Sequence, residues 1–417
     1  MTASHNRRTK RAGTLRLLKE VIKRPRIIKA GLRLNLFLLG YMKKFRARDV
    51  GGHLILHSHL PPLNSRAYGR FIDEHLIGKT DGPSHAQIGL TNACPQSCGY
   101  CYNKGRTGKA MDKATILQTI ADLKRLGVFW LGLTGGEPLL NKDIVEITEK
   151  AADGCAVKLF TTGCTLTPGL AADLKSAGLF SVCVSLDHWR EDVHDRVRNY
   201  PGAFRTALAA IDIFKNAGLD TGVSSVLSKD MISTGRVEEF LSFLESLDVD
   251  EAWLSETKPS VQDFWTDDLV ITEDERRGLS RRQDRRNKSR NPSGSMTMNY
   301  LGHFEGGEHF GCNAGSKMIY IDAFGDVSPC VFTPMAFGNV RESALSDIWG
   351  DMRRRFSPGS SCFVNKNFKL LQKYSQGRLP ISRENALALL REIDFGLPGR
   401  FVRLYQGRGA KISRRIP

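Results

Sequence analysis

Residues 91–102 read TNACPQSCGYCY, and the three cysteines in this stretch, Cys94, Cys98 and Cys101, follow a C-x3-C-x2-C spacing. A [4Fe–4S] cluster with a full protein ligand set is held by four cysteine thiolates. Three thiolates on one short loop would hold such a cluster and leave one iron free for another ligand. A structural zinc site is the alternative, but it needs four ligands, and no fourth Cys or His follows nearby.

The composition of the 417-residue chain favours a large intracellular protein of two or three domains. Nine cysteines, an odd number without a secretory leader, favour a reducing compartment and metal or core roles over disulfides. No apolar run approaches the roughly 18 residues of a membrane-spanning helix. We therefore expect a cytoplasmic protein, either soluble or peripheral on the inner face of the membrane.

Both ends of the chain are strongly basic. Residues 1–50 hold 15 Lys and Arg against two acids, and residues 400–417 hold six basic side chains and no acid. Apolar residues within 13–24 and 27–45 predict two basic helices, the second beginning at Pro25. Such helices suit an anionic membrane surface. Packing on the protein body is the first alternative, and a nucleic-acid arm is disfavoured because interleaved aromatic residues are lacking.

Short apolar strands alternate with helical stretches from about residue 85. The predicted strands are 87–90, 130–133, 157–161, 181–185, 222–227 and 252–255, with helices at 113–126, 142–152, 168–177, 203–217 and 235–246. Six consecutive β/α units indicate an α/β fold, a partial (β/α)6 TIM-like barrel. The cysteine loop directly follows the first strand, and barrels of this kind carry their chemistry at the C-terminal ends of the strands.

Shifts in composition predict six segments along the chain. They are a basic amphipathic helical extension at 1–50, an extended connecting segment at 51–84, the barrel at 85–260, a linker at 261–299, a small α+β module at 300–370, and a C-terminal helix and basic tail at 371–417. Thr272 and Glu275 form a capping-box pattern, which predicts a helix within the linker.

A second motif, Gly135-Gly136-Glu137-Pro138, follows the second predicted strand. Two glycines allow a close backbone approach to a ligand, and Glu137 supplies an acceptor for an amino group. Such a turn is a weak signal alone, since most turns only connect elements. One β/α unit after a three-cysteine loop, it becomes a strong one.

Together these motifs resemble the radical S-adenosylmethionine (SAM) superfamily over roughly residues 85–260. Cys94, Cys98 and Cys101, with Tyr100 before the last cysteine, match its defining loop, and residues 135–138 match its GGEP turn. Ser185-Leu186-Asp187 resembles the serine–aspartate motif of the family. Residues 194–198 and 202–204 resemble the segment that follows it in peptide- and cofactor-modifying branches.

The resemblance implies a SAM site on the open iron of the cluster. Gly135, Gly136 and Glu137 would hold the amino end of SAM. Ser185 and Asp187 would lie near the ribose or the carboxylate, and Arg198 would either bind the carboxylate or form a surface ion pair. An electron donor such as flavodoxin or ferredoxin would drive cleavage of SAM to methionine and a 5′-deoxyadenosyl radical that takes hydrogen from a substrate. No residue is assigned a catalytic role.

The C-terminal module resembles a SPASM/twitch auxiliary iron–sulfur domain. Cys312, Gly325 and Cys330 match its C-x9–15-G-x4-C element, and only Cys362 follows. A full SPASM domain would carry about seven cysteines, so the resemblance implies one auxiliary cluster, again one cysteine short. Its fourth position would be open to substrate or filled by Asp322, His309 or His303. Alternatively, the module has lost its cluster.

The remaining cysteines and histidines give weaker signals. Cys164 could face the site, but with Cys155 and Cys183 it is expected to be a small buried residue. His53, His57 and His59 include an H-x-H pair that could bind zinc, although loop and core histidines are commoner.

The leading hypothesis is a radical SAM oxidoreductase or modifying enzyme that acts on a lipid or membrane-associated precursor. The lipid preference rests on the basic N-terminal helices and on the lack of an obvious peptide-recognition domain. The alternatives are a maturase of ribosomally made peptides or small cofactors, and a non-catalytic iron–sulfur electron carrier or sensor. A carrier has no need of the Gly-Gly-Glu turn, and no specific nucleic acid is expected as a partner.

Overall fold

A nine-stranded sheet forms the centre of the computed structural model, which describes residues 10–11, 19–20, 22–45, 47–57, 59–288 and 296–406. Across the sheet the strands follow the order β10 (Thr297–Tyr300), β9, β8, β7, β6, β5, β4, β11 (Met318–Ile321) and β12 (Val327–Ser328). The six strands at its centre are β4 (His85–Gly89), β5 (Trp130–Thr134), β6 (Ala156–Thr161), β7 (Leu179–Ser185), β8 (Asp220–Leu227) and β9 (Glu251–Glu256). All neighbouring pairs among these six are parallel, which confirms the predicted partial barrel.

Helices cover the outside of this sheet and connect its strands. They are α3 (Lys113–Arg125), α4 (Ile144–Ala152), α5 (Pro168–Ser176), α6 (Glu191–Arg198), α7 (Ala203–Ala217), α8 (Lys229–Ser233) and α9 (Val237–Ser246). Asp112 and Thr167 cap two of them by accepting bonds from Thr115 N (2.8 Å) and Leu170 N (3.1 Å). The short helices α6 and α8 were not predicted.

The strands are buried on both faces because helices lie outside and side chains fill the inside. All five residues of β5 are buried, and Leu131 and Leu133 belong to a core that continues through the apolar faces of α3, α4 and α7. This packing fixes the C-terminal strand ends at one edge of the barrel.

The C-terminal module adds strands to the open sides of the barrel. Strand β10 (Thr297–Tyr300) pairs in parallel with β9, and β11 (Met318–Ile321) pairs in parallel with β4, from Met318 opposite His85 to Ile321 opposite Ile88. Strand β12 (Val327–Ser328) pairs antiparallel with β11 and forms a hairpin. The auxiliary module is therefore joined to the barrel through the same sheet, directly beside the cysteine loop.

The linker and the C-terminal region are mainly helical. Helix α10 (Glu273–Lys288) begins at the predicted capping box, where Glu275 N donates to Thr272 Oγ1 over 3.2 Å. It is followed by α11 (Leu301–Phe304), α12 (Leu345–Arg355), α13 (Phe363–Ser375), α14 (Arg383–Arg391) and α15 (Arg400–Gln406). Short 3-10 helices span Pro138–Leu140 and Gln262–Phe264.

The N-terminal extension packs on the body. After a 3-10 helix at Pro25–Ala30, helix α1 (Leu32–Met42) buries Leu34, Leu38 and Tyr41 in a cluster that includes Phe304 and the half-buried Phe401. The face of α1 that carries Leu34, Leu38 and Tyr41 therefore packs on the protein body, which was the alternative to a membrane surface. The predicted helix at 13–24 falls mostly outside the described residues. Within the described residues, no helix is long and apolar enough to cross a membrane.

The connecting segment at 51–84 is not extended throughout, contrary to the prediction. It contains β3 (His53–Ile55), which pairs with β2 (Arg48–Val50), and β2 also pairs with β1 (Lys10–Arg11). Helix α2 (Arg66–Arg70) then runs into a π-helix at Phe71–Ile77. Ser65 caps α2 by accepting from Tyr68 N, and Ile72 and Leu76 are buried in the same cluster as α1. The helical structure here follows from this burial.

Candidate active site

A cavity of about 400 Å³ opens at the C-terminal strand ends and reaches from the first predicted cysteine set to one cysteine of the second. Its wall includes Cys94, Cys98 and Cys101 of the first set and Cys330 of the second. Of the residues predicted to bind SAM, Gly135, Gly136, Ser185 and Arg198 line it, whereas Glu137 and Asp187 do not. The fold thus brings the first cysteine set, Cys330 of the second set and most of the predicted SAM-binding residues to one space.

The Gly-Gly-Glu turn is fastened to the cysteine loop by backbone hydrogen bonds. Gly136 N donates to Thr91 O (2.7 Å), and Glu137 N donates to Ala93 O (2.8 Å). A Cβ atom on Gly135 would lie 2.3 Å from Thr91 O, and one on Gly136 would lie 2.3 Å from Ala93 O. Only glycine permits this approach. The two motifs therefore form one unit whose backbone carbonyl and amide groups border the cavity.

The Glu137 carboxylate, predicted to accept an amino group, is bonded to protein groups and does not line the cavity. It is fully buried and accepts bonds from Leu139 N (2.9 Å), Thr161 Oγ1 (2.6 Å) and Thr162 N (2.6 Å). Burial raises its pKa and these bonds partly oppose that rise. Since Thr161 and Thr162 line the cavity at the end of β6, Glu137 ties the turn to the next strand.

Arg198 is buried, so the surface ion pair considered from sequence is not what the structure contains. Its guanidinium lies 2.8 Å from Asp187 Oδ2 and 3.9 Å from Cys98 Sγ. Asp187 also accepts from Val226 N (2.9 Å) and from the Tyr100 hydroxyl. Burial raises the pKa of Cys98 and Arg198 partly lowers it again, which favours the thiolate that iron requires. Asp187 thus positions Arg198 beside a cluster ligand.

Two polar residues that the sequence did not single out brace the cysteine loop. The Asn103 amide donates to Gly135 O, and the Tyr320 hydroxyl on β11 donates to Asn103 Oδ1 (2.9 Å). Tyr102 shares a 2.6 Å hydrogen bond with Thr134. The auxiliary module therefore helps to position the first cysteine loop. In the sequence, the only signal for these contacts is the pair of polar residues, Tyr102 and Asn103, that directly follows Cys101.

The second cysteine set is buried and comes from three separate elements. Cys312 exchanges backbone hydrogen bonds with Gly359, Cys330 follows β12, and Cys362 precedes α13. All three side chains line one small cavity. Burial raises the pKa of each thiol, that of Cys362 to about 12, so loading with iron must release protons. Gly325 supplies the positive φ (92°) of the hairpin turn between Cys312 and Cys330.

The three residues predicted as fourth ligands of this set have other partners. Asp322 forms a buried ion pair with Arg106 (2.9 Å). His303 lies 3.1 Å from Asp284, and His309 lies 2.9 Å from the Lys44 ammonium. None of the three lines the small cavity. None of these three residues therefore lies where it could be the fourth ligand of the second cysteine set.

The remaining cysteines and histidines have structural surroundings. Cys155 and Cys183 are buried as expected, and Cys164 is partly exposed but does not line the cavity. His57 and His59 are buried and stacked, with ring centroids 5.0 Å apart. Across the described residues, no three His, Cys, Asp or Glu side chains are grouped to hold a single metal ion.

The inner part of the cavity is aromatic and was not predicted. Trp130, Phe160 and Trp253 from three barrel strands line it, together with His59. The His59 ring stacks on Trp253 and Phe304, each at a 4.3 Å centroid distance, and its buried Nε2 has no hydrogen-bond partner. Trp130 opens its strand, so its part of this wall lies deeper in the barrel than the cysteine loop.

Both halves of this arrangement match known protein families. The radical SAM superfamily matches residues 88–244, and an iron–sulfur cluster-binding domain, SPASM, matches residues 312–372. The chain belongs to the radical SAM superfamily. It is an enzyme of that superfamily with a C-terminal SPASM domain, and its cofactors are a [4Fe–4S] cluster, SAM and an auxiliary iron–sulfur cluster.

Individual relatives resemble the chain over about two thirds of its length. The chain is 26% identical over 297 residues to the AdoMet-dependent heme synthase of Methanosarcina barkeri, covering 66% of this chain and 84% of the relative. It is 28% identical over 290 residues to the mycofactocin maturase MftC of Mycolicibacterium smegmatis, covering 64% and 70%. The fold resembles SAM-bound SuiB of Streptococcus suis, with a TM-score of 0.54, 17% identity, and coverage of 70% of this chain and 75% of that one.

Proposed function

We propose that this radical SAM enzyme takes hydrogen from a peptide or a small cofactor precursor bound between its two cysteine sites. The observation that carries the proposal is the single cavity with Cys94, Cys98 and Cys101 on one side and Cys330 on another. A substrate in that space would contact SAM and lie beside the auxiliary cluster. A non-catalytic electron carrier has no use for such a cavity.

The residues around the first cysteine set suit the binding of cluster and SAM. Cys94, Cys98 and Cys101 would hold three irons, and the Gly135 and Gly136 backbone would receive the amino group of SAM. Arg198 offers a cation for the SAM carboxylate, at a position fixed by Asp187. When bound and reduced, the cluster supplies the electron that cleaves SAM to methionine and a 5′-deoxyadenosyl radical. The aromatic walls exclude water from the substrate.

The relatives favour peptide or cofactor maturation over the lipid substrate preferred from sequence. The matched proteins include a maturase and a heme synthase, each covered over 70% or more of its length. The walls formed by Trp130, Phe160 and Trp253 suit a flat or apolar group. The body packing of α1 also removes part of the argument for a lipid, because that face is not available to a membrane.

An anaerobic label-transfer assay tests the proposal. The reconstituted enzyme is reduced and supplied with SAM and with peptide, small-molecule or lipid fractions from deuterium-grown cells. We expect deuterium in 5′-deoxyadenosine with the peptide or small-molecule fraction, and none with a Cys98→Ala variant. Label from the lipid fraction alone would restore the lipid substrate. Absence of SAM cleavage by a reduced, cluster-loaded enzyme would contradict the assigned chemistry.

We retain the membrane surface as a separate binding hypothesis because of one exposed stripe. Leu32, Leu36 and Leu39 are spaced along one face of α1 and are 74%, 59% and 49% exposed, and Ile28 of the preceding 3-10 helix is 74% exposed. Arg26, Lys29 and Arg33 lie near this stripe in the sequence. An anionic lipid surface would accept both the apolar and the basic groups.

Vesicle flotation tests the membrane hypothesis. We expect the protein to float with anionic vesicles at low salt and to lose most of this binding when Leu32, Leu36 and Leu39 are changed to serine. Leu140→Ser, which changes an exposed leucine of the barrel, is the matched control and should bind as the unmodified protein does. Equal flotation of both variants, or no flotation at all, would exclude the stripe as a membrane site.

A further inference from the structure

The auxiliary cysteine set lacks a fourth thiolate. The chain has nine cysteines, of which three form the first site, and Cys155, Cys164 and Cys183 belong to the barrel. Cys155 lies 3.2 Å from Val128 O, and Cys183 is inside strand β7. Outside the described residues, His5 is the only His, Cys, Asp or Glu of the sequence. A fourth protein ligand must therefore come from another side chain close to the set.

Glu305 is the acidic residue that lies beside all three cysteines. It follows helix α11 and lines the small cavity together with Cys312, Cys330 and Cys362. It also lines the main cavity beside Cys330.

The other acidic and histidine side chains of this region are held elsewhere. The predicted candidates are paired with Arg106, Asp284 and Lys44, as described above. Glu256 accepts from Lys258 (3.0 Å) and Asn365 (2.7 Å) and does not line the small cavity. Glu305 is therefore the candidate that both faces the cysteines and carries a ligating atom.

Lys258 fixes the orientation of the Glu305 carboxylate. Its ammonium lies 3.1 Å from Glu305 Oε2 and 3.0 Å from Glu256 Oε1, and its side chain is 2% exposed. The ammonium engages one oxygen of the Glu305 carboxylate. A carboxylate has two oxygens, so one oxygen can meet the cation while the other binds a metal. This arrangement resembles the outer hydrogen bonds that orient metal-ligating carboxylates.

We propose that Glu305 is the fourth protein ligand of the auxiliary cluster, completing the set of Cys312, Cys330 and Cys362. The auxiliary cluster then has no iron open to substrate, in contrast to the first cluster. Glu305 borders the main cavity, so substrate contacts the ligand and not the metal. The inference concerns the auxiliary cluster alone and holds whichever substrate the enzyme uses.

The test uses the full chain with Cys94, Cys98 and Cys101 changed to alanine, so that only the auxiliary cluster is loaded. Four forms of this background are compared, with Glu305, Glu305→Ala, Glu305→Cys and the control Glu308→Gln. Glu308 is exposed and lies three residues along the same segment. Circular dichroism and iron content confirm that each form is folded and loaded. Mössbauer spectra and the response of the reduced EPR signal to cyanide are the readouts.

We expect the Glu305 form and Glu308→Gln to resist cyanide and to show one iron site with an oxygen-ligand isomer shift. Glu305→Ala should lose iron or bind cyanide, because one iron has become open. Glu305→Cys should resist cyanide and show four thiolate-like sites. Cyanide binding by the Glu305 form, or spectra unchanged in a loaded Glu305→Ala variant, would overturn the proposal. So would a folded, loaded Glu305→Cys variant that lacks the fourth thiolate signature.

Discussion

The two cysteine sites of this enzyme differ in how the fold exposes them. The first lies on one loop at residues 94–101, where Cys94 is exposed and Cys98 and Cys101 are half-buried. The second is spread over residues 312–362, and all three of its cysteines are buried. A loop site open to a cavity can admit a diffusible ligand such as SAM. A buried site assembled from three elements suits a cluster that stays closed.

The two sites also differ in the charged side chains that lie beside their cysteines. A cation, Arg198, lies 3.9 Å from Cys98 at the first site. At the second site the nearby group is the Glu305 carboxylate, paired with Lys258. Net charge and nearby hydrogen bonds help to set the reduction potential of an iron–sulfur cluster. The two cysteine sites thus have different electrostatic surroundings.

Replacing one cysteine at each site in turn should show which site cleaves SAM and which one is needed for substrate turnover. We expect these two replacements to have the largest effects on activity. Cys98→Ala should abolish formation of 5′-deoxyadenosine because it removes a ligand of the cluster that binds SAM. Cys330→Ala should keep SAM cleavage and lose substrate turnover. Iron content should fall by about four atoms per chain in each case. Equal loss of SAM cleavage in both variants would show that the two sites do not work separately.

Breaking the Asp187–Arg198 pair should affect the first site alone. Asp187→Asn leaves the buried guanidinium without its charge partner, and losing one member of a buried pair costs about 3–5 kcal/mol. We expect a raised KM for SAM and a changed EPR signal of the first cluster on SAM binding. The auxiliary cluster signal should stay unchanged.

The control for this change is Asp192→Asn. Asp192 pairs with Arg190 on the surface (2.8 Å, side chains 52% and 60% exposed), and exposed pairs contribute little. It should leave both the KM and the EPR spectra as they are. A normal KM for SAM in Asp187→Asn would remove Arg198 from the SAM site.

The barrel was predictable from sequence because its strands and helices carry strong local patterns. Each predicted strand agrees with β4–β9 to within two residues at either end. The pairing of β11 with β4 was not predictable, since residues 318–321 and 85–88 are far apart in sequence and pair through backbone groups alone. The same applies to the Tyr320 contact with Asn103.

The site was predictable as a set of motifs but not as a set of contacts. The spacing of Cys94, Cys98 and Cys101 and the Gly-Gly-Glu turn identify the first site by themselves. The role of Glu137 depends on Thr161 and Thr162 at the end of the next strand, and no local pattern shows this. Glu305 carries no motif at all and becomes visible only when three distant cysteines are brought around it.

The contact between the cysteine loop and the Gly-Gly-Glu turn allows a local test of whether the two cysteine sites are independent, and the expected effect is the smallest of those considered. Gly136→Ala would place a Cβ 2.3 Å from Ala93 O and 2.6 Å from Asn92 O, and both are backbone atoms. Overpacking of this kind costs about 1–3 kcal/mol and should move the loop that carries the first cluster. Gly278→Ala is the control, because its Cβ meets nothing within 4 Å and alanine favours the helix by up to about 1 kcal/mol. Thermal unfolding and SAM titration should show a loss for Gly136→Ala and none for Gly278→Ala, while the auxiliary cluster loads normally in both. If Gly136→Ala instead disturbed the auxiliary cluster as much as the first, the two sites would be one mechanical unit, coupled through β4 and β11.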